Sequence, residues 1–168
     1  MQDKQAVRYD VAGYESVTAA LRELVNQYPG LAEGDEIAFA VLDEDGGKAM
    51  FPVTGGVIES ERKSVTGKVR QICRYPFYVI YRVAGATENR KASIKEWLDK
   101  LGEWLERRPV LINGERYQLA EYPALTDGRT ILAIERQSPA YLDNTAENKA
   151  EDWAISLTAR YENQFLRR

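Results

Sequence analysis

The chain is predicted to be α+β, a mainly antiparallel sheet with two amphipathic helices packed on it. Three observations carry this. Two segments, residues 14–28 and 88–107, repeat apolar residues at helical spacing. Shorter runs alternate apolar and polar residues at the two-residue period of a strand. The order of these segments is helix, several strands, helix, two strands, without the βαβ alternation of a parallel fold. A length of 168 residues suits one domain covering residues 1–168, because domains commonly run to roughly 100–200 residues.

In the first helix Val17, Leu21, Leu24, Val25 and Tyr28 form one stripe, and Pro29-Gly30 stops it. From Ile37 the period changes. Ile37–Leu42, the turn Asp43–Gly47, the run Lys48–Val53 and the turn Thr54–Gly56 read as a meander of antiparallel strands, with Pro52 on an edge or at a strand end. Thr66–Ala84 reads as one long strand, the central one of the sheet, in which Phe77, Val79, Tyr81 and Val83 make an apolar face and Tyr78, Ile80, Arg82 and Ala84 a mixed one. Pro76 has no N–H for a ladder, so a bulge or bend is predicted there.

The second helix presents Ile94, Trp97, Leu98, Leu101, Trp104 and Leu105 on one face, with Glu96 and Lys100 paired outside it. Pro109 is predicted to end it and its tryptophans to lie against the sheet. Residues 110–129 stay ambiguous, with Asn113-Gly114 and Asp127-Gly128 as turns. Thr130–Arg136 and Trp153–Glu162 alternate as strands, and Ser138–Ala150 between them reads as a long polar loop.

Composition excludes several chemistries. The chain has no His and one Cys, which leaves no Ser-His-Asp or Cys-His nucleophile, no His-containing zinc site, no intrachain disulfide and no Cys₄ cluster. Carboxylate, Lys and Tyr chemistry stays open. No stretch is apolar enough for a membrane span, and the start, MQDKQAVRYD, lacks the apolar core of a signal peptide, so synthesis in the cytoplasm is expected. Cys73, between Ile72 and Arg74, is expected to be a buried, inert thiol.

The net charge of −3 hides an asymmetry. Residues 1–60 hold 4 Lys/Arg and 11 Asp/Glu, 4 − 11 = −7, while residues 61–168 hold 19 and 15, 19 − 15 = +4. Opposite charges on two portions suit two faces that meet in a second copy, or simply two solvated surfaces.

Among candidate sites, Asp43, Glu44 and Asp45 are the densest acidic group, but they miss the calcium-loop spacing and read as a hairpin turn. Gly46-Gly47 and Gly55-Gly56 open no helix and form no phosphate-binding loop. Arg62, Lys63, Lys68, Arg70 and Arg74 precede Tyr75, Phe77 and Tyr78, a pairing that can hold phosphates and stack bases. Their alternation also fits a solvent-facing row on a strand, and specific nucleic-acid binding is not expected of an acidic chain. Tyr141 and Leu142, on the polar stretch after Ser138, are either an interaction anchor or fold back on the domain. No catalytic, cofactor-binding or metal-ligating set emerges. The candidate interface residues are Tyr141, Leu142, Asp43, Glu44, Asp45, Lys68 and Arg70.

Four strings carry a resemblance: YESVTAALRELVNQYPGL (14–31), ICRYPFYVIYRVAG (72–85), RKASIKEWLDKLGEWLE (90–106) and ILAIERQSPAYLDNTAENKAEDWAISLTARYENQF (131–165). In this order they resemble a family of minor capsid or tail-completion proteins of long-tailed phages and Gram-positive prophages, whose arrangement resembles that of tail terminators. The resemblance implies a small α+β virion protein that forms a ring, usually a hexamer, at the head-proximal end of the tail tube, ends tube growth and joins tail to head. Its implied partners are copies of itself, the tail tube protein and head–tail connector proteins, with no cofactor and no membrane. It implies a place in the virion tail after synthesis in the host cytoplasm. A head-completion or connector protein, and a small enzyme or ligand-binding domain using carboxylate, Lys or Tyr groups, are the alternatives.

Overall fold

The computed structural model describes residues 14–53, 57–126 and 128–166. Their elements run α1 (Tyr14–Val25), β1 (Ala38–Phe39), β2 (Gly46–Pro52), β3 (Val57–Lys63), β4 (Lys68–Val83), α2 (Glu88–Leu105), β5 (Val110–Ile112), β6 (Glu115–Tyr117), β7 (Arg129–Arg136), β8 (Tyr141–Thr145) and β9 (Glu151–Leu166). This is the α+β class, with antiparallel pairing everywhere except between β1 and β2.

The spine is the pair β4 and β9, each 16 residues long and antiparallel from Lys68↔Leu166 to Val83↔Glu151 without a register shift. Each outer edge is shared by two shorter strands. On β4, β3 pairs with the first half and β2 with the second; on β9, β8 pairs with the first residues and β7 with the later ones.

The two-residue period of a strand sends alternate side chains to opposite faces. Val69, Gln71, Cys73, Tyr75, Phe77 and Val79 of β4 are buried, as are Ile155, Leu157, Ala159 and Tyr161 opposite them on β9. Both helices cover this face. Thr18 of α1 bonds the Tyr75 hydroxyl at 2.8 Å, and Leu98, Leu101 and Leu105 of α2 join the same core. Tyr28, past the end of α1, packs against Trp97 and Trp104, while the Trp97 indole meets Tyr81 of β4 edge-on with ring centres 5.4 Å apart. These aromatic contacts tie the helices to each other and to the sheet.

Local chemistry explains the helix limits. The Thr87 hydroxyl accepts the Arg90 N–H at 3.2 Å and caps α2. At the other end Arg107 takes a left-handed conformation (φ 65°), so that its N–H and that of Arg108 return to the carbonyls of Trp104 and Glu103. The helix therefore stops before Pro109 is reached. Beyond it, Asn113-Gly114 forms the β5–β6 turn with both residues at positive φ.

Three expectations need correction. The Ile37–Leu42 run does not form one arm of a hairpin. It is cut at Ala40, which sits at φ 55°, and the two residues left as β1 pair parallel to β2, with Ala38 against Ala49. Pro76 produces no bulge: it stands in unbroken register with Thr158, and its carbonyl accepts the Val53 N–H at 3.0 Å on the outer edge. The missing N–H of Pro76 faces that same edge, in the gap where β2 ends and β3 has not yet begun, so no ladder bond is lost. The Ser138–Ala150 stretch is not a loop, because Tyr141–Thr145 is strand β8, joined to β9 by a turn closed by Ala146 N–H to Ala150 carbonyl at 2.8 Å. The turns expected at Thr54–Gly56 and at Asp127 lie outside the described residues.

Gly102 marks the tightest approach of α2 to the sheet. A Cβ there would lie 2.7 Å from Ile155 Cδ1 and closer still to Arg136 Cδ. Gly102→Ala gains about 1 kcal/mol of helix propensity but overpacks this contact at a cost of about 1–3 kcal/mol. The expected result is a net loss of about 1 kcal/mol, read as a lower urea midpoint with an unchanged slope; a midpoint at or above the parent's contradicts the close packing.

Candidate functional site

With both helices on one face, the even-numbered residues of β4 and β9 line the other. Three charged arrangements stand along it. Arg82 and Asp152 are directly opposite and share two hydrogen bonds, 2.7 and 3.0 Å. Arg74 and Arg160 are also directly opposite, a like-charge pair that is unfavourable by itself. The shift in the β3 ladder between Ile58 and Ser60 brings Glu59 to them, 3.3 Å from Arg160 Nε and 4.0 Å from Arg74 Nε. Further along, Arg70 donates to Glu162 at 3.0 Å. Phe51 and Tyr78 stack between these groups with ring centres 5.5 Å apart.

The cavities here are surface grooves. One, of about 320 Å³, lies on the open face between Glu59, Arg74, Thr158 and Arg160, where Glu59 already engages both guanidinium groups. Another, of about 650 Å³, lies between α1 and residues 36–41, where Arg22 covers the Phe39 ring at 4.9 Å.

The electrostatics follow from these contacts. Hydrogen bonds from Arg70 and Gln164 hold the Glu162 carboxyl below the usual range, and Asp152 raises the Arg82 guanidinium. Burial pushes the Cys73 thiol up, pushes Tyr75 to about 12 and raises Tyr28 further. A thiol or phenol so displaced is protonated at neutral pH and is a poor nucleophile or base. Among the described residues no three Cys, Asp or Glu are grouped to hold a metal ion, and no helix is long and apolar enough to cross a membrane.

The seven interface candidates fall into two groups. Asp43, Glu44 and Asp45 lie just before β2, at the end of the spine where Val83 meets Glu151. The Asn148 amide, in the β8–β9 turn, reaches the Glu44 carbonyl and Asp45 Oδ1 at 3.4 and 3.3 Å. Tyr141 and Leu142 are at the same end on β8, both exposed, with the Tyr141 hydroxyl 3.1 Å from Ser156 Oγ. Lys68 and Arg70 are at the opposite end of the spine, beside the β3–β4 turn. Asp143 and Glu147 belong with the first group, and Arg62 and Lys63 with the second. Their membership depends on strand pairing between segments far apart in the chain; the only local signal was the density of like charge.

In comparisons with known proteins, no family model and no curated protein matches the chain.

The lowered Glu162 carboxyl has a consequence for acid stability. A group whose folded pKa lies below its unfolded value, about 4.3 for Glu, stabilises the fold above that value and ceases to do so as pH falls through the folded one. The urea midpoint is expected to drop between about pH 5 and pH 3, and Glu162→Gln to flatten part of that limb. An acid limb unchanged by Glu162→Gln contradicts the pairing with Arg70.

Proposed function

We propose that this chain is a tail terminator of a long-tailed phage or prophage, a structural virion protein that forms a ring at the head-proximal end of the tail tube, stops tube growth and joins tail to head. The observation that carries the proposal is the in-order resemblance of four strings. They coincide with the elements on which the fold is built: residues 14–31 contain α1, 72–85 fall on β4, 90–106 on α2, and 131–165 span β7, β8 and β9.

What supports the reading is a surface suited to contacts with large partners. Among the described residues, one sheet face carries ion pairs and stacked aromatics with no helix over it, and strands β3 and β8 expose every residue. Burial holds the Tyr28 and Tyr75 phenols and the Cys73 thiol in their protonated forms. A ring needs heterologous contacts, one patch of a subunit against a different patch of the next. The two groups of opposite charge at the ends of the spine are of that kind.

The test is negative-stain imaging of tail tubes assembled from the tube protein of the same genome, with and without this protein. A ring at one tube end and a capped length distribution are expected with it, and tubes of unregulated length without it. Unchanged tubes without a ring contradict the proposal, and tails of normal length that fail to join heads point instead to a connector.

A further inference from the structure

Charge on this molecule is sorted by the ends of the β4–β9 spine rather than by portions of the chain. At one end, residues 57–75 form β3, its turn and the first half of β4. They carry five basic residues, Arg62, Lys63, Lys68, Arg70 and Arg74, against Glu59 and Glu61. Glu59 and Glu162 serve Arg74 and Arg70, while Arg62, Lys63 and Lys68 form no ion pair with a described residue. Arg62 stands directly opposite Arg70 across the β3–β4 ladder, an unfavourable placement that a carboxylate from outside would relieve. Val65, at the turn, is fully exposed, and Leu166, opposite Lys68, is 69% exposed.

At the other end, residues 41–47 and 141–151 carry Asp43, Glu44, Asp45, Asp143, Glu147 and Glu151 against Lys149 alone. Lys91 takes Glu151, at 3.1 Å, but the other five carboxylates form no ion pair with a described residue. Val41 and Leu142 are exposed beside them. Among the described residues each end therefore offers charge of one sign without an ion-pair partner, together with unburied apolar side chains.

The two ends are separated by a 16-residue ladder, about 50 Å at strand rise, so they cannot neutralise each other within one molecule. Nor are their edges closed in the way the β7 edge is, where Tyr122 and Glu106 accept the N–H groups of Ile134 and Arg136. Among the described residues β3 pairs with β4 alone and β8 with β9 alone.

We infer that the β3–β4 arm docks on the acidic end of a second copy of this chain, with Arg62, Lys63 and Lys68 facing Asp43, Glu44, Asp45, Asp143 and Glu147. The contact is heterologous, so it propagates from copy to copy, and the proposed ring is its closed form. The inference rests on the proposed ring and adds which two surfaces make it.

The test uses charge reversal at residues that form no ion pair among the described residues. Arg62→Glu with Lys63→Glu makes the arm acidic, 3 − 4 = −1 over residues 57–75, and Asp43→Lys, Glu44→Lys and Glu147→Lys together make the opposite end basic, 4 − 3 = +1 over residues 41–47 and 141–151. Each set alone places like charges against each other, and the five substitutions together restore opposition. Association is read by sedimentation at low ionic strength and by rings on tube ends, with thermal melts to confirm folding. The expected result is association at least about tenfold weaker for each set, recovered when the five are combined. Rings formed equally well by every variant overturn the assignment of surfaces and leave the terminator reading standing. A folded quintuple variant that fails to assemble also overturns it. A parent protein that neither associates nor caps tubes overturns both.

Discussion

The fold depends on one unbroken pairing, β4 with β9, from Lys68↔Leu166 to Val83↔Glu151. Strands of about 5–6 residues are the norm, and a ladder nearly three times as long cannot be bordered by one ordinary strand on each side. Each outer edge is accordingly covered in two parts, by β3 and β2 on β4 and by β7 and β8 on β9. Pro76 is tolerated in the middle of the longest strand because it falls at the join between two such neighbours, where its absent N–H had nothing to bond. The same ladder sends Tyr75, Phe77, Val79, Ile155 and Leu157 to one face, where both helices bury them, and leaves Arg74, Tyr78, Arg82, Asp152 and Arg160 on the other.

Strong periodicity made the long elements legible. The stripes of α1 and α2 and the alternation of β4 and β9 each arise because one face is buried, and burial is what writes a period into a sequence. The errors fall where burial is one-sided or absent. Strand β8 exposes all five residues, so Tyr141–Thr145 carries no alternation and reads as loop. The parallel β1–β2 pair hinges on Ala40 at positive φ, a conformation that alanine does not advertise. The end of α2 at Arg107 is hidden for the same reason, since glycine is the residue expected there.

The candidate site was legible residue by residue but not as an arrangement. The sequence divides by charge near residue 60, yet Glu59 sits among the arginines of the open face and Asp143 and Glu147 join the acidic residues of the first third. Strand pairing re-sorts the charges, giving a body with a basic arm at one end and an acidic surface at the other. That polarity suits a part that repeats head to tail, which is the property the proposed ring requires.

Hydrogen exchange followed by mass spectrometry, on the free protein and on the protein assembled at tube ends, tests this account most directly. In the free state the slowest amides are expected in β4 and β9, with β3 and β8 exchanging faster. On assembly, new protection is expected in residues 57–67 and in 43–45 with 141–149, at opposite ends of one spine. Protection gained instead over the groove between α1 and residues 36–41, or over the helices, with both ends unchanged, contradicts it.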